Sequence, residues 1–192
     1  MYVRIHKDME DSYNILKKEL IKLYKNKNKS FDKINIVCIG SSKVNWDNLG
    51  PLIGTSLQKK FKKNNFIKIH GTLENSVNAL NLEEIIEIIK KEENSLTIAI
   101  DACIGVASEP EDIIIQDIAI KPGEAVGKNL NTIGDISILG IINTYSNSFS
   151  YEELFLTTNP SVVYNLSKKI AKGLKSALHI IIKENSEKKQ IN

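Results

Sequence analysis

Cysteine is scarce: Cys38 and Cys103 are the two in 192 residues. Both sit in apolar stretches, and they make neither a disulfide framework nor a pair at metal-ligand spacing. Reduced, buried thiols in a cytosolic protein are the simplest reading. Histidine is nearly as scarce. His6, His70 and His179 do not make a zinc motif, and His6 and His179 fall on predicted helices. No apolar run approaches the roughly 18–20 residues that cross a bilayer, and the polar N-terminus shows no signal peptide. A cytoplasmic chain without membrane contact is therefore expected. There is no GxGxxG and no P-loop ending in GK[ST], so no nucleotide site is supported and no cofactor is expected. The net charge is only +3. Its lysines gather at helix faces and at 25–33 and 183–189, without the interleaved aromatics of a nucleic-acid surface.

What is present reads as one ordinary globular domain over 1–192. Residues 1–30 form an N-terminal helix and linker, 31–182 an α/β core, and 183–192 a frayed tail. Met9, Tyr13, Leu16, Leu20 and Leu23 form a stripe that predicts a helix from near Asp8 to Tyr24. Ile34–Ile39 is a β-branched run suited to a buried strand. Gly40 ends it, Asp47 or Asn48 can cap the next helix, and Pro51 suits its first turn. Phe66–Ile69 is a second strand ending at His70. Asn81 and Glu84 read as a capping box ahead of Leu82, Ile85, Ile86 and Ile89. Leu96–Ile100 is a third strand with Asp101 at its carboxyl end. Ile113–Ile120 and Asp135–Ile142 are further strands. Leu154–Leu156 reads as a short edge strand, and Asn159-Pro160 opens a last helix.

The alternation of strand and helix in the first half predicts a three-layer α/β/α sandwich with a mostly parallel sheet. If the first three of these strands lie in the order 2-1-3, Asp47 and Asp101 face one another at a topological switch point, where α/β proteins place ligands. Two close carboxylates cannot both ionise cheaply. One can then serve as base and the other as acid, or the pair can help hold a divalent metal. The plainer reading makes Asp47 a cap and Asp101 a turn residue. His70 with Cys103 is a conceivable nucleophile pair. Trp46, the one tryptophan, either lines a cleft or covers the helix start. The Gly/Pro-rich loop 121–130 either aims backbone N–H groups at a ligand or simply connects two strands.

Five stretches in order, NWDNLGPLIGT, HGTLENSVNALNL, IAIDACIG, IKPGEAVGKNL and IGDISILGIIN, resemble the YyaC-type sporulation proteins. These are small relatives of the germination protease of spore-forming bacteria and, more widely, of the hydrogenase maturation proteases. The resemblance implies a phosphorylase/hydrolase-like fold and a peptidase of the mother cell or forespore. It carries a catalytic aspartate onto Asp47 and another onto Asp101. It makes Asn45, Trp46, Gly50, Lys121, Pro122, Gly123 and Gly127 substrate-contacting positions. It implies a polypeptide substrate, with small acid-soluble spore proteins as first candidates. In the maturation proteases two acids bind nickel with a histidine that has no counterpart here, so no metal is expected. The alternative on the same fold is a non-catalytic binding or regulatory protein. Self-association is the base-rate expectation.

Overall fold

The computed structural model describes residues 1–123 and 131–191, with residues 188–191 by backbone alone. The strands are β1 (Tyr2–Ile5), β2 (Lys33–Cys38), β3 (Ile67–His70), β4 (Ser95–Gly105), β5 (Ile113–Gln116) and β6 (Ile136–Thr144). The helices are α1 (Ser12–Asn26), α2 (Leu49–Phe61), α3 (Leu82–Lys90), α4 (Tyr151–Leu156) and α5 (Pro160–Ile191). One six-stranded sheet runs β1-β5-β6-β4-β2-β3. Its centre, β6-β4-β2-β3, is parallel, while β5 and β1 join antiparallel. The expected order of the first three parallel strands holds, since β2 lies between β3 and β4.

Strand alternation sorts the core into two layers. Ile34, Ile36 and Cys38 of β2 and Ile98 and Ile100 of β4 pack with α1, α2, α4 and α5. Val37 and Ala99 face the other way, against Leu82 and Ile86 of α3. Among the described residues, one face therefore carries four helices and the other carries α3 plus loops.

Several expectations are corrected. The N-terminus is a strand: Tyr2 pairs with Gln116 and Ile5 with Ile113. The first helix starts only at Ser12, and His6 lies outside any helix. Residues 151–156 are a helix, because Ser150 and Glu153 form a complete capping box, which fixes the first turn. The Asn81–Glu84 box does not form. The Asn81 side chain instead accepts from the Asn78 N–H and donates to the Ser76 carbonyl. Strand β5 stops at Gln116, and Ile120 makes an isolated bridge with Ile133. At α5, the Asn159 carboxamide oxygen accepts from the Ser161 N–H at 3.0 Å, an N-cap ahead of Pro160. The helix continues to Ile191, past the point where polar composition predicts fraying.

Candidate functional site

The turn after β2 is built by close backbone approach. Gly40 has φ of 141°, and a Cβ there would lie 2.1 Å from the Asp47 carbonyl oxygen. A Cβ on Gly50 would lie 2.0 Å from the Ile39 carbonyl oxygen. Only glycine allows both contacts. The Ser41 N–H donates to that same Asp47 carbonyl at 2.8 Å. The turn thus folds back on the strand end and sets Asp47, the last residue of a 3-10 turn from Asn45, directly before α2. Asn48 holds the N-cap position of α2 without a side-chain capping bond of its own.

Asp101 lies within β4, not at its end; the strand continues four residues to Gly105. By alternation from Ala99, its side chain projects onto the sheet face that carries α3. There, Asp101 and Asp47 line one cleft of about 1080 Å³. Burial is the leading cause that raises Asp101 well above the usual carboxylate range, and the charge of Asp47 adds to it. The Ala102 N–H, 2.8 Å from Asp101 Oδ1, opposes the shift without cancelling it. The pair therefore shares one cleft with one member biased toward its protonated form.

Other residues divide into those the cleft gathers and those it does not. Trp46, Lys121, Pro122 and Gly123 line it. Asn45 does not, and Gly50 is a buried packing glycine. Gly127 lies outside the described residues. Cys103 does line the cleft, half-buried, and burial together with Asp101 pushes its thiol up to about 11. At that value it is almost wholly uncharged near neutrality. His70 is not its partner. The imidazole is buried on β3, with Nε2 2.9 Å from the Asn35 carboxamide oxygen. Burial, then Lys68, lowers it to about 4. His179 sits on α5, with Nδ1 2.7 Å from the Lys175 carbonyl and its ring against Phe61.

The sequence did not single out two groups found here, the wall with Tyr151 and Phe155 and the Ser76 tie. Tyr151 and Phe155 form a cleft wall with Trp46, whose ring stacks on Phe155 at 4.5 Å between centroids. The SxxE signature at Ser150 was the signal that could have found that helix. Ser76 ties the β2–α2 turn to the loop after β3, since its hydroxyl oxygen accepts from the Ser42 N–H at 3.1 Å. Lys43 and Lys121 are the only basic side chains among the described cleft residues. Among the described residues no group of three or more His, Cys, Asp or Glu could hold a metal ion. Among them, too, no helix is long and apolar enough to cross a membrane.

Comparison with known proteins adds three findings. Residues 4–173 match the family described as "Protein of unknown function (DUF1256)". The chain is 36% identical over 142 residues to an uncharacterized protein of Bacillus subtilis, YyaC, covering 73% of this chain and 67% of that one. The [NiFe] hydrogenase maturation protease HycI of Thermococcus kodakarensis superposes with a TM-score of 0.49 at 20% identity, over 82% of this chain and 99% of that one.

Proposed function

This chain belongs to the DUF1256 family, and we propose that it is a peptidase in which Asp47 and Asp101 hydrolyse an extended polypeptide. The observation that carries the reading is the cleft shared by two carboxylates, one of them biased toward its neutral form by burial and by the other's charge. Asp47 takes a proton from water as the water attacks the peptide carbonyl. Protonated Asp101 hydrogen-bonds the carbonyl oxygen as charge develops there, and Asp47 passes the proton it took from water to the leaving amine as the C–N bond breaks. Trp46 and Phe155 make an apolar wall for the substrate, and Lys121 and Pro122 line the same cleft. Small acid-soluble spore proteins are the first substrates to try, on the sequence resemblance to the germination protease, and the setting it suggests is the sporulating cell.

The test mixes purified protein with small acid-soluble spore proteins and, separately, with an unfolded peptide library. Products are read by intact mass between pH 4 and 8. Wild type is expected to cut, and Asp47→Asn and Asp101→Asn are each expected to lose at least about a hundredfold in rate, the lower range for acid–base catalysis. Full activity in either variant would remove the acid pair. Complex formation without cleavage would give the cleft to a binding protein instead.

A further inference from the structure

Val106 is 74% exposed, Leu156 71%, Phe149 51% and Tyr145 37%, and all four lie in the segments that follow β4 and β6. The Tyr145 N–H donates to the Gly105 carbonyl at 2.7 Å, which sets Tyr145 beside the residue that precedes Val106. The Tyr145 ring in turn contacts Tyr151 at 5.4 Å between centroids. Tyr151 lines the cleft together with Trp46 and Phe155. The Tyr145 ring thus extends, beyond the cleft, an aromatic lining made by Trp46, Phe155 and Tyr151, and Val106 follows the Gly105 to which Tyr145 is bonded.

Single exposed apolar residues need no explanation, but a contiguous strip joined to a cleft marks an interaction surface. A small molecule held between the two aspartates has no use for side chains beyond the rim. An extended polypeptide does, because its alternate side chains project to one side along its length. We infer that Tyr145 and Val106 form an outer docking strip for large apolar side chains of a polypeptide whose neighbouring segment lies in the cleft. The inference rests on the reading of the cleft as a polypeptide site. It goes beyond that reading by placing affinity outside the cleft, on one flank.

Trp46 is the only tryptophan, so its emission reports occupancy of the cleft. The experiment titrates the whole chain with two synthetic tryptophan-free peptides of about 12 residues, roughly 40 Å when extended. One is a Gly/Ser chain carrying Phe at two positions toward each end; the other has Ser at those positions. Val106→Ser/Tyr145→Ser is titrated in parallel. Both positions are exposed, and the Tyr145 backbone bond survives the change. The Phe peptide is expected to perturb Trp46 and bind at least about tenfold tighter than the Ser peptide, and the double variant to lose most of that advantage. Equal affinity of wild type and double variant would overturn the strip. So would a wild-type dimer in sedimentation that the double variant converts to monomer, since a second copy would then be the occupant. Binding of the expected pattern without cleavage keeps the strip and removes the hydrolytic reading. Cleavage that is indifferent to Val106 and Tyr145 does the reverse.

Discussion

Replacing Asp101 with Asn should make the protein more stable at neutral pH, and by an amount that depends on pH. An aspartate in the unfolded chain ionises near pH 3.9. In the folded protein Asp101 keeps its proton to much higher pH, because its carboxyl is desolvated and faces Asp47. Between those two values the folded state binds one more proton than the unfolded state. Stability must then fall as pH rises through that window. Below about pH 4 both states hold the proton and the cost vanishes. Asn has the shape of the neutral acid, keeps an oxygen for the Ala102 N–H, and carries no such slope. Each tenfold rise in proton affinity corresponds to about 1.4 kcal/mol. Inside that window the gap between variant and wild type therefore widens by about 1.4 kcal/mol per pH unit, and for a chain of this size each 1 kcal/mol is about 2–4 °C in Tm. The assay is thermal or urea unfolding of wild type and Asp101→Asn from pH 4 to pH 8. The gap should open steadily as pH rises. A gap that is constant with pH, or a variant less stable at pH 7, would refute the argument and with it the neutral acid on which the proposed chemistry depends.

Three further outcomes are expected. Asp47→Asn removes the charge that helps raise Asp101, so the Asp101 carboxyl, followed by isotope-edited NMR, should titrate at lower pH than in wild type. Gly50→Ala places a methyl 2.0 Å from the Ile39 carbonyl oxygen, which forces the α2 N-terminus off the strand and should cost about 1–3 kcal/mol or more by urea unfolding. His70 is held neutral, its pKa lowered to about 4 by burial and by Lys68. The unfolded chain binds the extra proton below about pH 6.5, so stability is fully present above that value and falls on acidification. The loss attributable to His70 at pH 5 is about 2 kcal/mol, and His70→Gln should flatten it.

The parallel centre of the sheet was legible because its strands are uninterrupted apolar runs and its helices carry apolar stripes. Ile34–Ile39 came through almost unchanged as β2, and the helix expected after Asp47 or Asn48 begins at Leu49 with Pro51 in its first turn. Asp101 was found but misplaced. A charged residue after TIAI reads as a strand end, whereas the ladder with β6 carries the strand on through Asp101 and past a bulge at Cys103/Ile104. Strand β1 could not be read, since four residues become a strand only by pairing with β5 more than a hundred positions away. The aromatic wall was missed for a different reason. Leu154–Leu156 is apolar enough for a strand, and the capping box at Ser150 decides for helix. Asn45 and Gly50 flank Asp47 in sequence, but successive residues of a tight turn point in different directions: Asn45 does not line the cleft, and Gly50 packs against the Ile39 backbone.

The pairing of β1 with β5 also bears on the order in which this molecule is made. Residues 2–5 are made well before 113–116, the strand they pair with, which is synthesised after the whole β2–β4 region. Synthesis at about 5–20 residues per second makes that interval several seconds. The β2-α2-β3-α3-β4 unit, whose contacts are closer in sequence, has time to assemble before β1 has anything to pair with. The first residues of the chain are thus among the last to find their place. Until they do, β5 presents a bare edge that could pair with a neighbouring nascent chain. The short N-terminal strand therefore serves as a guard on that edge, and its loss would show in the yield of soluble protein more than in the architecture of the cleft.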